Sequence, residues 1–156
     1  MTTTARMPLK LHDLATEEAL VAALLLHADF AALEHFADED VFYDHLRPVI
    51  AAVRRLHAAG KPCGTVFVLH ALESQLDSLS WGGDRGEVML LDLLGRHVES
   101  VQSYYGPALG QLVHYYAQRR KALQQAHAEG TQLYQARVSQ ALSVLERTSG
   151  AGFIDA

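Results

Sequence analysis

Cysteine occurs once in these 156 residues, as Cys63, so an internal disulfide is excluded and the usage fits a reducing cytoplasm. The loop around it, Lys61-Pro62-Cys63-Gly64, offers no neighbouring base, which favours an inert thiol over a nucleophile. Long apolar runs are missing as well. The longest, Ala19 to Leu26, falls far short of the roughly 20 residues that cross a bilayer. The opening Met-Thr-Thr-Thr-Ala-Arg has no apolar core, so no secretory signal is expected there. Positive charge is scarce: 13 Lys+Arg stand against 18 Asp+Glu, a net charge of -5. Residues 1–100 hold 8 basic against 15 acidic residues, and residues 101–156 hold 5 against 3. An acidic front and a mildly basic rear argue against broad contact with a phosphate backbone, which needs concentrated positive charge. Two short basic clusters remain, Arg54-Arg55 and Arg119-Arg120-Lys121; within amphipathic helical patterns they read as solvated faces before they read as nucleic-acid contacts.

Catalytic and ligand-binding patterns are also lacking. No Gly-x-x-x-x-Gly-Lys-[Ser/Thr] loop occurs, so P-loop nucleotide binding is unsupported. Gly82-Gly83-Asp84-Arg85-Gly86 is rich in glycine but follows no strand and lacks the lysine, which makes it a turn. None of the nine histidines has a carboxylate three residues before it, as di-iron helical bundles require, and no His-Glu-x-x-His is present. His27, His35, His45 and His57 read as surface or half-buried helix residues. Glu17-Glu18 and Asp38-Glu39-Asp40 lie at expected helix starts, where the helix dipole favours carboxylates, so capping explains them better than acid–base work. Ser74, Ser78 and Ser80 have no activating histidine pattern. The chain is expected to be no enzyme and to need no cofactor or metal.

What is present is helix. Nearly half the residues are apolar, Ala and Leu dominate, and the 11 Gly and 4 Pro are clustered, which predicts an all-α protein. The periodicity predicts a first helix over Leu14–His27 and a short second one capped by Asp29 and ending near Phe36. An acidic turn then carries Phe42-Tyr43. A third helix runs from about His45 to Ala59, with Pro48 in its first turn and Gly60 at its stop. Thr65 is placed to cap a fourth. Ser78 to Gly86 reads as a loop around Trp81, Asp84 opens a helix through Leu94 that Gly95 ends, and Ser100 starts a last short one.

Gly106-Pro107 marks the main break, because proline suits the first turn of a new helix. Beyond it Leu109, Leu112, Val113, Tyr116, Leu123, Tyr134, Val138, Leu142 and Leu145 form one apolar stripe. Gly130-Thr131 is suited to a turn, and a two-helix hairpin is the favoured reading. The apolar phase nevertheless passes through Gly130 without a slip, and one glycine costs a continuous helix only about 1 kcal/mol, so the single helix stays open. The expected organisation is an extended N-terminus over 1–12, a helical globule over 13–105, the hairpin over 106–148 and a flexible tail over 149–156. Little chain remains to cover the stripe, which makes it a candidate oligomerisation surface.

One ordered set of motifs carries a resemblance. An acidic helix start runs into an apolar Ala/Leu segment at Glu17, Ala19, Leu20 and Ala23 to Leu26; Phe42-Tyr43 follows Glu39-Asp40 with Val41 inserted; a helix closes on Gly60-Lys61-Pro62; a further helix spans Val66–Leu76 before Gly82-Gly83; and Tyr104-Tyr105 precedes the rear segment. Together these resemble the N-terminal domain of the DnaB family of replicative DNA helicases, over about Leu14 to Leu123. Departures exist: Asp44-His45-Leu46-Arg47 stands where the family commonly has Pro-Ala-His, and Gly64 and Phe67 stand where it has Asp and Thr. The resemblance implies a helical globule plus hairpin, with hairpins pairing subunits into dimers and three dimers forming a collar on the motor. It implies self-association and contact with a primase or helicase loader, with DNA met only indirectly and no membrane. The expected pairing surface is Leu109, Leu112, Val113, Tyr116, Leu123, Tyr134, Val138 and Leu142. Two alternatives stay open beside it: the helicase-binding domain of a primase or a free-standing regulator of helicase assembly, and a helical DNA-binding regulator.

Overall fold

The first helix, α1 (Leu14–His27), carries apolar residues all round with Glu17 and Glu18 among them, and every residue from Thr16 to Leu25 is buried. A helix of that kind belongs in the middle of a fold rather than on its face. The computed structural model describes residues 10–73, 84–98 and 105–154. After α1 come α2 (Arg47–Ala58), α3 (Thr65–Leu72) and α4 (Asp84–His97), with 3-10 segments at Phe30–His35 and Asp38–Asp40 between α1 and α2, and α5 (Gly106–Ile154) is the last described element. No strand occurs among the described residues, so the all-α expectation stands. α1 packs on α2, on α4 and on the first 3-10 segment, while α2 packs on α3. The core they share is built from Leu20, Leu24, Leu46, Ile50, Leu72 and Leu90, all essentially without solvent contact.

Local chemistry explains the joints. α1 ends at Ala28, which takes the left-handed conformation at φ 50° without the help of glycine. α2 carries proline in its first turn and presents Val49, Ile50, Ala52 and Val53 inward. It is ended by Gly60 at φ 68°, and the Lys61 N–H reaches back to the Leu56 carbonyl. Gly64, rather than Thr65, holds the position before α3.

α4 does not stop at Gly95 as the glycine suggests. It runs to His97, because its last turn is anchored: Glu18 of α1, itself buried, accepts a hydrogen bond from Arg96 at 2.6 Å and has the His97 ring at 3.7 Å. That contact outweighs the roughly 1 kcal/mol that a mid-helix glycine costs. The predicted loop over Ser78–Gly86 lies outside the described residues up to Gly83, and Asp84 to Gly86 belong to α4. The short helix expected from Ser100 lies outside the described residues.

The largest departure is in the rear segment. The favoured hairpin does not form; α5 is one helix of 49 residues that passes straight through Gly130-Thr131 and through the Ser149-Gly150 stretch read as a flexible exit. A turn would expose the last carbonyls of one helix and the first amides of the next, whereas one exposed glycine costs only about 1 kcal/mol. Thr131 adapts by donating its hydroxyl to the His127 carbonyl at 2.9 Å. The chain divides into two units, one ending at Gln118 and the other beginning at Arg119, so the division falls well inside α5 and not at Gly106. The first three turns of α5 belong to the globule because Val113 and Leu109 are part of its core.

Candidate functional site

Glu17 shows how the globule is tied together. Its carboxylate is 3% exposed and accepts hydrogen bonds from the backbone N–H of Phe42 at 3.2 Å and of Tyr43 at 3.1 Å. The sequence assigns Glu17 to the helix dipole; its actual partners lie 25 and 26 residues away. His12 stacks on Phe42 at 4.1 Å between ring centres and meets the Tyr43 hydroxyl at 2.8 Å, closing an aromatic cluster over this joint. Burial, then the nearby Glu17 and Asp13 carboxylates, push the Tyr43 hydroxyl above its ordinary pKa. Asp13 itself is raised by burial, but donors from Thr16, Lys10 and Ala15 outweigh this and hold it below the usual carboxylate value.

The acidic turn is likewise put to structural use. Asp38 pairs with Arg54 Nε at 2.8 Å, and the same guanidinium donates to the carbonyls of Leu33 and Phe36, both at 2.9 Å, so it caps the end of the first 3-10 segment. Arg54 is thereby removed from the basic pair that a nucleic-acid contact would use, and Arg55 stands exposed alone. Asp40, buried, accepts from the Ala37 N–H and meets His114 Nδ1 of α5, both at 2.9 Å. Asp29 does not cap the segment beside it; its side chain accepts the Gly106 N–H at 2.9 Å and so holds the start of α5.

Two glycines make that seating possible. A Cβ on Gly110 would lie 2.7 Å from the Ala32 carbonyl oxygen, and one on Gly106 would overlap the Asp29 carboxylate. The spacing Gly106-x-x-x-Gly110 puts both on one side of α5, where the backbone can approach the 3-10 segment closely. That spacing is visible in the sequence. The burial of Glu17 and the reach of Asp29 leave no local sequence signal.

The eight expected pairing residues separate into two groups. Val113 is 1% exposed and Leu109 packs against the core, so neither presents a free surface; Leu112 and Tyr116 are half-buried on the same stretch. Leu123, Tyr134, Val138 and Leu142 are exposed, as are Leu133, Val144 and Leu145, and every residue from Lys121 to Arg147 is exposed. On a straight helix Leu123, Tyr134, Val138 and Leu145 fall on one face. Among the described residues no three His, Cys, Asp or Glu side chains gather as metal ligands, and no helix is long and apolar enough to cross a membrane.

No family model matches the sequence, and no curated protein matches it. A solved structure does: the N-terminal domain of DnaB helicase from Mycobacterium tuberculosis, at 22% identity and a TM-score of 0.63, covers 75% of this chain and 82% of its own. A central buried helix, the Glu17 tie to Phe42-Tyr43 and the glycine-seated start of α5 are thus the internal architecture of a chain that has the fold of the N-terminal domain of a DnaB helicase.

Proposed function

We propose that this chain is a non-catalytic module of replicative helicase assembly, which self-associates through the rear half of α5 and offers its globule to a primase or helicase loader. The observation that carries this reading, beside the fold, is the exposed run from Lys121 to Arg147. Helices in proteins are stabilised mainly by packing an apolar face rather than by intrinsic propensity, and an exposed apolar face on one marks an interaction surface. Here the face holds Leu123, Tyr134, Val138 and Leu145, flanked by Leu142. Burying a large apolar side chain contributes about 1.5–3 kcal/mol. These side chains are only about half exposed beforehand, so four or five from each of two copies contribute on the order of 6–15 kcal/mol, comparable with the roughly 4–15 kcal/mol lost on association. A second copy supplies a matching face by symmetry. DNA enters this reading only through the assembly, since Arg54 is committed within the globule.

Light scattering on the purified chain tests the proposal. The 17.1 kDa chain is expected as a dimer or a multiple of it, and Leu142→Asp with Tyr134→Asp is expected to return it to the monomer mass while the globule stays helical by circular dichroism. A wild-type monomer at high concentration would sink the reading, and so would a double variant that keeps the oligomer mass.

A further inference from the structure

An open cavity of about 270 Å³ lies against α2 and α3, lined by Ala52, Arg55, Leu56, Ala59, Lys61 and Ala71. Its existence follows from the residue types: three of its lining side chains are single methyl groups, in positions where larger residues would fill the space. Leu56 and Ala71 are half-buried, so the floor is apolar yet open to solvent. The rim is basic. Arg55 and Lys61 are both exposed, and neither makes an ion pair among the described residues, in contrast to Arg54 next door. Two uncommitted cations beside an apolar hollow are unusual on the front of this chain, where acidic residues outnumber basic ones 15 to 8 over residues 1–100.

From this arrangement we infer that the cavity is a docking site for an acidic amphipathic segment of a partner protein. Such a segment would set one Leu or Phe side chain on the alanine floor and direct carboxylates to Arg55 and Lys61. The volume suits one large side chain, being at the lower edge of the roughly 300–1,000 Å³ of small-molecule pockets. An aliphatic anchor with a charged rim matches the usual division of labour, in which a buried apolar group supplies affinity and rim charges supply steering and selectivity.

The test is a titration of the isotope-labelled full chain with a short peptide of alternating Asp/Glu and Leu/Phe residues, followed by amide chemical shifts. Saturable shifts are expected at Ala52, Leu56, Ala59 and Ala71. Arg55→Glu with Lys61→Glu should weaken binding about tenfold or more. Ala71→Leu, which fills the hollow and leaves the charge alone, should do the same. Where Ala71→Leu disturbs folding, Ala59→Leu at the exposed edge replaces it. Shifts confined to other surfaces overturn the inference, as does equal binding of a peptide with Ser in place of Leu/Phe, or stronger binding of a single-stranded oligonucleotide to the rim. The Leu142→Asp variant should bind the peptide as the wild type does, so failure of the cavity and failure of self-association are separate results.

Discussion

Replacing Glu17 by Gln removes one carboxylate oxygen and puts an NH2 group in its place, at a side chain 3% exposed that receives two backbone N–H groups. Each hydrogen bond to a charged acceptor contributes about 1.5–3 kcal/mol, and a buried N–H left facing another donor costs about 1–3 kcal/mol. The glutamine oxygen can keep one of the two partners. The other is lost and replaced by a donor–donor contact, so the expected destabilisation is about 2.5–6 kcal/mol. Against a total of about 5–15 kcal/mol for a domain, that is a large fraction. If Glu17 served only the helix dipole, the same substitution would cost about 0.3–1 kcal/mol. The two accounts therefore differ by more than the error of a urea titration followed by circular dichroism. Hydrogen exchange adds a local readout: the Phe42 and Tyr43 amides should lose protection in Glu17→Gln beyond the global change. A cost below about 1 kcal/mol, with those two amides unchanged, would refute the tie between α1 and the aromatic pair.

The glycines of α5 should respond in opposite directions. Gly110→Ala should destabilise by about 1–3 kcal/mol, because its Cβ meets the Ala32 carbonyl at 2.7 Å, whereas Gly130→Ala should stabilise by up to about 1 kcal/mol, having no atom within 4 Å and helical backbone on both sides. Thermal melts of the two variants check this, and destabilisation by Gly130→Ala would argue for a left-handed turn there. Alkaline pH should weaken the fold, since the Tyr43 hydroxyl and the Cys63 thiol are both raised, the thiol by burial. Their protonated native forms contribute stability that is complete below the thiol's ordinary 9.0 and is lost as pH rises through the raised values. Urea midpoints measured from pH 8 upward should fall, and Tyr43→Phe should flatten the part due to the hydroxyl.

Patterns that act within one or two turns were readable from the sequence. The span Leu14–His27 matches α1 residue for residue, because its helical pattern is carried by residues within the segment itself. Proline in the first turn of α2 and glycine at its end are of the same kind. The partners of the charged residues are remote in sequence and leave no local pattern. Glu17 and Glu18 looked like dipole partners, yet they bind Phe42, Tyr43 and Arg96; Asp29 looked like a local cap, yet it holds Gly106; Arg54 looked like a solvated face, yet it caps the first 3-10 segment.

By itself, then, the sequence determined the all-α class, most helix limits and the apolar stripe of α5, since these follow from hydrogen bonds and periodicities that close within a few residues. Tertiary structure alone decided which part of that stripe is core and which is bare. Val113 is covered because Gly106 and Gly110 let α5 come close to the 3-10 segment, while Tyr134 is 70% exposed because its stretch of helix is exposed throughout among the described residues from Lys121 to Arg147. The same apolar period runs through both, and only the presence of a packing neighbour distinguishes them. That neighbour is a property of three-dimensional placement and is written in no local pattern.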